Sequence, residues 1–160
     1  MQAWLMDDYK GIAGLRLADA PDPVPQPDEV ILEVHYAGLN PADAYLAENQ
    51  YPAKPRLPHI LGRDGVGTVV AVGSAVGGIR VGDRRAILRS ELGINQPGTF
   101  AQRVAVPTES LVEIPAGWSE PEAGGATLVY LTAYQALTMW GPLPPSAVVL
   151  VTGASGGVGV

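Results

Sequence analysis

The chain contains no cysteine, which excludes disulfides and any thiolate-held zinc or iron–sulfur centre. Histidine is nearly absent too: only His35 and His59 occur, so three imidazoles cannot meet at one site within a single chain. Basic residues are scarce, with Lys and Arg totalling 10 against 16 Asp and Glu, for a net charge of −6. No basic run is longer than Arg84-Arg85. Nucleic acids and anionic membranes call for a basic surface, so neither is expected as a partner. No apolar run approaches the roughly 20 residues that span a bilayer. The start MQAWLMDDYKG lacks the basic flank and apolar centre of a signal peptide, and the expectation is a soluble, cytoplasmic protein.

What is present is apolar and turn-rich. Of 160 residues, 47% are hydrophobic and 16% charged, enough for a real core and against disorder. Glycine (20) and proline (15) are both frequent, which favours short strands joined by turns. Residues 1–115 read this way, through MQAWLM, LRLADAP, EVILEVHYAG, GVGTVVAVGSAV, VGDRRAIL, TFAQRVAVP and SLVEIPA. In EVILEVHYAG (29–38), Val30, Leu32, Val34 and Tyr36 fall on one face, and Glu33 and His35 on the other. The connections are too short for helical crossovers, so the sheet is expected to be mainly antiparallel.

Two helices interrupt the strands. Asn40 can cap the first, Pro41 suits its opening position, and it runs to about Glu48. The second starts at SEPE, where Ser119 and Glu122 have capping-box spacing, and reaches Met139, with Gly124-Gly125 as a point of breakage. AVVLVTG (147–153) then reads as a buried parallel strand running into a glycine-rich turn. That turn fits two registers. Ala154, Gly156 and Gly159 match G-x-G-x-x-G/A with alanine first; Thr152, Gly153, Gly157 and Gly159 match TGxxxGxG. In either register, backbone N–H groups at a helix start would face a pyrophosphate. The second register belongs at the start of a short-chain dehydrogenase, whereas here a long β-rich stretch precedes it.

AGLNPADAYLAENQYP (37–52), LGRDGVGTVVAVGSAV (61–76), VGDR (81–84), LTAYQAL (131–137) and the closing GASGGVG together resemble the medium-chain dehydrogenase/reductase superfamily. The likeness is strongest to its zinc-independent quinone oxidoreductase branch, and covers that family's N-terminal half. It implies a mainly β, GroES-like, partly open barrel at 1–118 and a connecting helical region at 119–146. An α/β Rossmann domain would begin at 147–160 and be left incomplete. It implies NADPH as cofactor, a small-molecule quinone or enone as substrate, and a homodimer. Asn40, Arg63 and a position near Leu128 stand where zinc-dependent members place Cys, His and Cys, so no zinc is expected.

The resemblance also implies site residues. Asn40, Tyr45 and Tyr51 would line the nicotinamide and substrate pocket, their amide and hydroxyls serving as hydrogen-bond donors. Thr132 would lie near the nicotinamide amide. Ala154, Ser155, Gly156, Gly157, Val158 and Gly159 would form the pyrophosphate loop. Each has a plainer reading: Asn40 as a helix cap, Tyr45 as an ordinary helix residue, Tyr51 as part of a turn, Thr132 bonded back to a helix carbonyl. Arg63 and Asp64 are expected to pair with one another or with Asp83. His35 reads as solvated, and His59 as a loop residue without a partner. Hydride transfer to a quinone or activated alkene is the leading expectation for the complete protein, with the 160-residue chain itself inactive. Reduction of an enoyl thioester is one alternative. A non-catalytic GroES-like or crystallin-type module is the other.

Overall fold

The computed structural model describes residues 1–88 and 90–159. Among them are eight strands: β1 (Gln2–Met6), β2 (Arg16–Asp19), β3 (Glu29–Gly38), β4 (His59–Ile60), β5 (Asp64–Val72), β6 (Arg84–Ile87), β7 (Arg103–Pro107) and β8 (Leu111–Glu113). The helices are α1 (Pro41–Ala47) and α2 (Glu120–Thr138). One sheet has the order β2-β1-β4, the other β7-β3-β5-β6-β8, and every strand pairing is antiparallel. The segment before β7 joins them: Trp4 N–H donates to the Phe100 carbonyl, and Gln102 bonds both Gln2 and Val34. The mainly β, open-sheet architecture read from the sequence is the one present.

The main core lies inside the larger sheet, where Val30, Leu32, Val69, Ile87, Leu92, Val104 and Val106 pack together. A second cluster of Met6, Leu46, Ala47 and Leu61 seats α1 against β1. β3 carries its residues partly as its alternation predicts. The register slips between Val34 and Tyr36, leaving His35 as the extra residue of a bulge and placing Tyr36 opposite Val66. Tyr36 thereby leaves the face of Val30, Leu32 and Val34, and its ring is half exposed. His35 is not simply solvated either: its Nδ1 lies 3.1 Å from the Glu120 carboxylate, which also accepts from Arg84 Nε at 2.7 Å. His59 belongs to β4, pairs with Met6, and is buried with Nε2 unpartnered among the described residues, rather than standing in a loop.

α2 runs unbroken through Gly124-Gly125. The sequence expectation of a break there is corrected by packing. A side chain at Gly124 would come within 3.0 Å of the Tyr36 Cβ and 3.1 Å of Val66 Cγ1, so glycine lets the helix cross the sheet closely. Ser119 and Glu122 do close the capping box, with Ser119 N–H donating to Glu122 Oε2 at 2.7 Å.

Residues 147–153 form no strand. This corrects the expected opening strand of a second domain. A parallel strand of this apolar kind is held by neighbours on both edges and cover on both faces. No other strand among the described residues pairs with it, and Val148 is 96% exposed.

Candidate functional site

Asp64, at the first residue of β5, organises the site. It is buried, and its carboxylate accepts from Asn40 Nδ2 (3.0 Å), Thr127 Oγ1 (2.8 Å) and Leu128 N–H (3.0 Å). Its own carbonyl accepts from Thr99 Oγ1 at 2.7 Å. One residue thus ties the start of α1, the middle of α2 and the segment before β7 to β5. Burial pushes its acid above the ordinary carboxylate range, against the lowering effect of those donors and of Arg63. Asp43 repeats the pattern beneath α1: its carboxylate accepts from Asn40 N–H (2.9 Å) and Gly62 N–H (3.2 Å), and burial again raises its pKa.

Arg63 pairs with neither Asp64 nor Asp83. The Asp64 carboxylate is taken by its three donors, and Asp83 pairs with Arg85 at 3.0 Å. The guanidinium turns instead to Tyr51, its Nη1 lying 3.4 Å from the phenol oxygen and its centre 5.9 Å from the ring centroid. Its Nε is buried without a partner among the described residues.

Arg63 forms one wall of a cleft of about 280 Å³. Leu88 and Ser90, which follow β6, form another. Leu128, Leu131, Thr132 and Gln135 close it from α2. Their i, i+3, i+4, i+7 spacing puts them on one helix face. The Thr132 hydroxyl donates back to the Leu128 carbonyl at 2.7 Å, the plainer of its two readings, and it still borders the cleft.

The structure therefore joins some of the sequence-derived residues and not others. Asn40 reaches the site through Asp64, Tyr51 through Arg63, and Thr132 directly. Tyr45 stands half exposed on α1 and does not line the cleft. Residues 154–159 lie elsewhere: Gly157 sits beside Val129, on a different face of α2 from the cleft. Two loop N–H groups are turned inward, Gly156 N–H to the Gly153 carbonyl and Gly159 N–H to the Gly156 carbonyl, each at 2.9 Å. As arranged, these residues do not fit a dinucleotide by themselves. Asp64 as hub and Thr127 as its donor were missed from sequence; the available signal was an acid set among glycines in LGRDGVG, where burial is the norm.

The family profile for the alcohol dehydrogenase GroES-like domain matches residues 26–116. The chain belongs to this family. The match takes in β3 through β8 and α1, the frame that presents Asn40, Tyr51, Arg63 and Asp64.

Relatives align along nearly the whole GroES-like chain. The human synaptic vesicle membrane protein VAT-1 homolog is 36% identical over 162 residues, all of this chain and 40% of that protein. The quinone oxidoreductase of Lama guanicoe is 32% identical over 161 residues, all of this chain and 47% of that protein. The acryloyl-coenzyme A reductase of Sulfurisphaera tokodaii is 33% identical over 170 residues, 92% of this chain and 50% of that protein. Among solved structures, an alcohol dehydrogenase superfamily protein from Novosphingobium aromaticivorans superposes with TM-score 0.89 at 35% identity, over 99% of this chain and 48% of that one. Escherichia coli quinone oxidoreductase complexed with NADPH gives 0.87 at 27%, over 99% and 47%. The chain spans half or less of the length of these curated relatives.

Proposed function

We infer that the GroES-like chain supplies the substrate side of an NADPH-dependent, zinc-free oxidoreductase that reduces quinones or other activated alkenes. The observation that carries this reading is Arg63, which lines the α2 cleft with the Tyr51 phenol behind it. It brings a cationic hydrogen-bond donor to a small, partly apolar space, the arrangement that steadies a carbonyl oxygen becoming negative. The relatives named as quinone oxidoreductases, one solved with NADPH, support the reaction class and the cofactor. In the whole protein the cofactor supplies the hydride. This chain's residues orient the acceptor and stabilise its oxygen.

Zinc-free chemistry follows from the donor set. Asn40, Arg63 and Leu128 offer an amide, a permanent cation and a hydrocarbon, none a ligand suited to Zn²⁺, and Arg63 would repel the ion. The pyrophosphate contacts at Ala154, Ser155, Gly156, Gly157, Val158 and Gly159 belong to the same proposal, and require that loop to be rebuilt within a complete cofactor-binding domain. Tyr45 is included only as a residue at the rim of α1.

The acryloyl-coenzyme A reductase relative favours a second reading, reduction of an enoyl thioester. The full-length protein, assayed with NADPH, separates the two. Faster turnover of 1,4-benzoquinone than of a 2-enoyl-CoA is expected. The reverse order selects the second reading, and oxidation of NADPH by neither would sink both.

A further inference from the structure

Arg63 is a permanent charge that makes no salt bridge among the described residues, although its field reaches the buried carboxylates of Asp43 and Asp64. A guanidinium does not lose its proton in a protein, so a half-buried one cannot relieve its desolvation by neutralising. Buried charges are normally paired with an anion. Around Arg63 the natural candidates are already engaged. Asp64 accepts from Asn40, Thr127 and Leu128; Asp43 accepts from Asn40 and Gly62; Asp83 holds Arg85. What remains to Arg63 is a long contact to a neutral phenol, with Nε buried and unpartnered among the described residues. The open side is the cleft, whose other polar groups among the described residues, Ser90, Thr132 and Gln135, are neutral.

The cleft also limits the ligand's body. About 280 Å³ lies at the bottom of the size range of small-molecule pockets, roughly 300–1,000 Å³. Leu88, Leu128 and Leu131 line it, and the Tyr51 ring lies against the guanidinium. A single ring or a short acyl chain fits; a long one does not.

We propose that Arg63 is a substrate-binding residue for a carboxylate, and that the substrate class is a small unsaturated carbonyl compound carrying a carboxylate on the same compact skeleton. The guanidinium takes the carboxylate through its terminal N–H donors. The leucines take the hydrocarbon. This rests on the reading above that the cleft is the substrate side of a reductase, and it narrows that reading from neutral quinones to anionic acceptors.

The test uses benzoate as probe on the ¹⁵N-labelled 160-residue chain, with benzamide as its uncharged counterpart and chloride at equal ionic strength. Saturable shifts at the Arg63 Nε–H and the Leu128 and Thr132 amides are expected with benzoate alone. Arg63→Gln should weaken benzoate binding by about tenfold, as loss of a charge-assisted pair does. Arg63→Lys, which keeps the charge and loses the fork, should fall between. Thermal unfolding of each variant confirms that it is folded. Equal binding of benzamide, reproduction by chloride, or no response of the wild-type chain would overturn the proposal without any variant. Because the readout is binding and not turnover, its failure leaves quinone reduction by the full-length protein standing. Failure of that reduction likewise leaves benzoate binding intact.

Discussion

Asp64 and His59 are both buried groups whose ordinary charge the fold disfavours, and they differ in what surrounds them. Asp64 has three side-chain or backbone donors aimed at its carboxylate, so its burial serves to join α1 and α2 to the sheet. His59 has no partner at Nε2 among the described residues, and desolvation lowers its pKa below the usual 6.5, with the Gly93 backbone acting in the other direction. Between that lowered value and 6.5 the unfolded chain binds more protons than the folded one, so stability rises with pH across this window. The contribution is fully present above pH 6.5 and is lost as pH falls through the folded value. Urea midpoints at pH 7.5, 6.0 and 5.0 should therefore decline, and His59→Gln should flatten the decline. An unchanged slope in that variant would remove His59 as its cause. At this scale the sequence showed the right residue types but not their partners. Arg63 and Asp64 are adjacent in the chain, yet their side chains face different neighbours, because Asp64 opens β5 while Arg63 precedes it.

The elements were largely legible. The β3 boundaries, the capped starts of both helices and the antiparallel pairing all follow from local pattern and turn chemistry. The errors have packing causes. Tyr36 departs from the alternating face because of a bulge that no propensity signals, and α2 survives two glycines because one of them is needed for close approach to β3. The two glycines therefore differ in their response to alanine. A Cβ at Gly125 meets nothing within 4 Å, so Gly125→Ala should stabilise by about 0.5–1 kcal/mol through helix propensity. At Gly124 the same gain is opposed by the contacts to Tyr36 and Val66, which must shift by a few tenths of an ångström, and Gly124→Ala should be the less stable variant. Denaturant unfolding of the pair decides; equal stabilisation would mean that α2 does not press on the sheet there.

For the molecule as a whole, the GroES-like frame closes around its own core while the segment after α2 pairs with no strand among the described residues. Val148, Leu150 and Trp140 are each more than 80% exposed, a distribution suited to surface that another unit covers. The glycine loop sits on α2 away from the cleft and bonds to itself. The 160-residue chain alone is accordingly expected to show no micromolar binding of NADPH in a fluorescence titration. Saturable binding at that level would show that the loop can reopen without further strands.

Sequence by itself determined the β-rich frame, the helix caps, the absence of a thiolate or three-imidazole site, and the family, because each depends on residue identity at short range. Only the tertiary structure decided that Asp64 is a hub, that Arg63 is left facing a cleft, and that 147–153 is not a strand. Those outcomes depend on which groups from distant segments reach one another. The Asp64 carboxylate bonds Asn40, Thr127 and Leu128 and makes no salt bridge to Arg63, and no one of those segments foretells that.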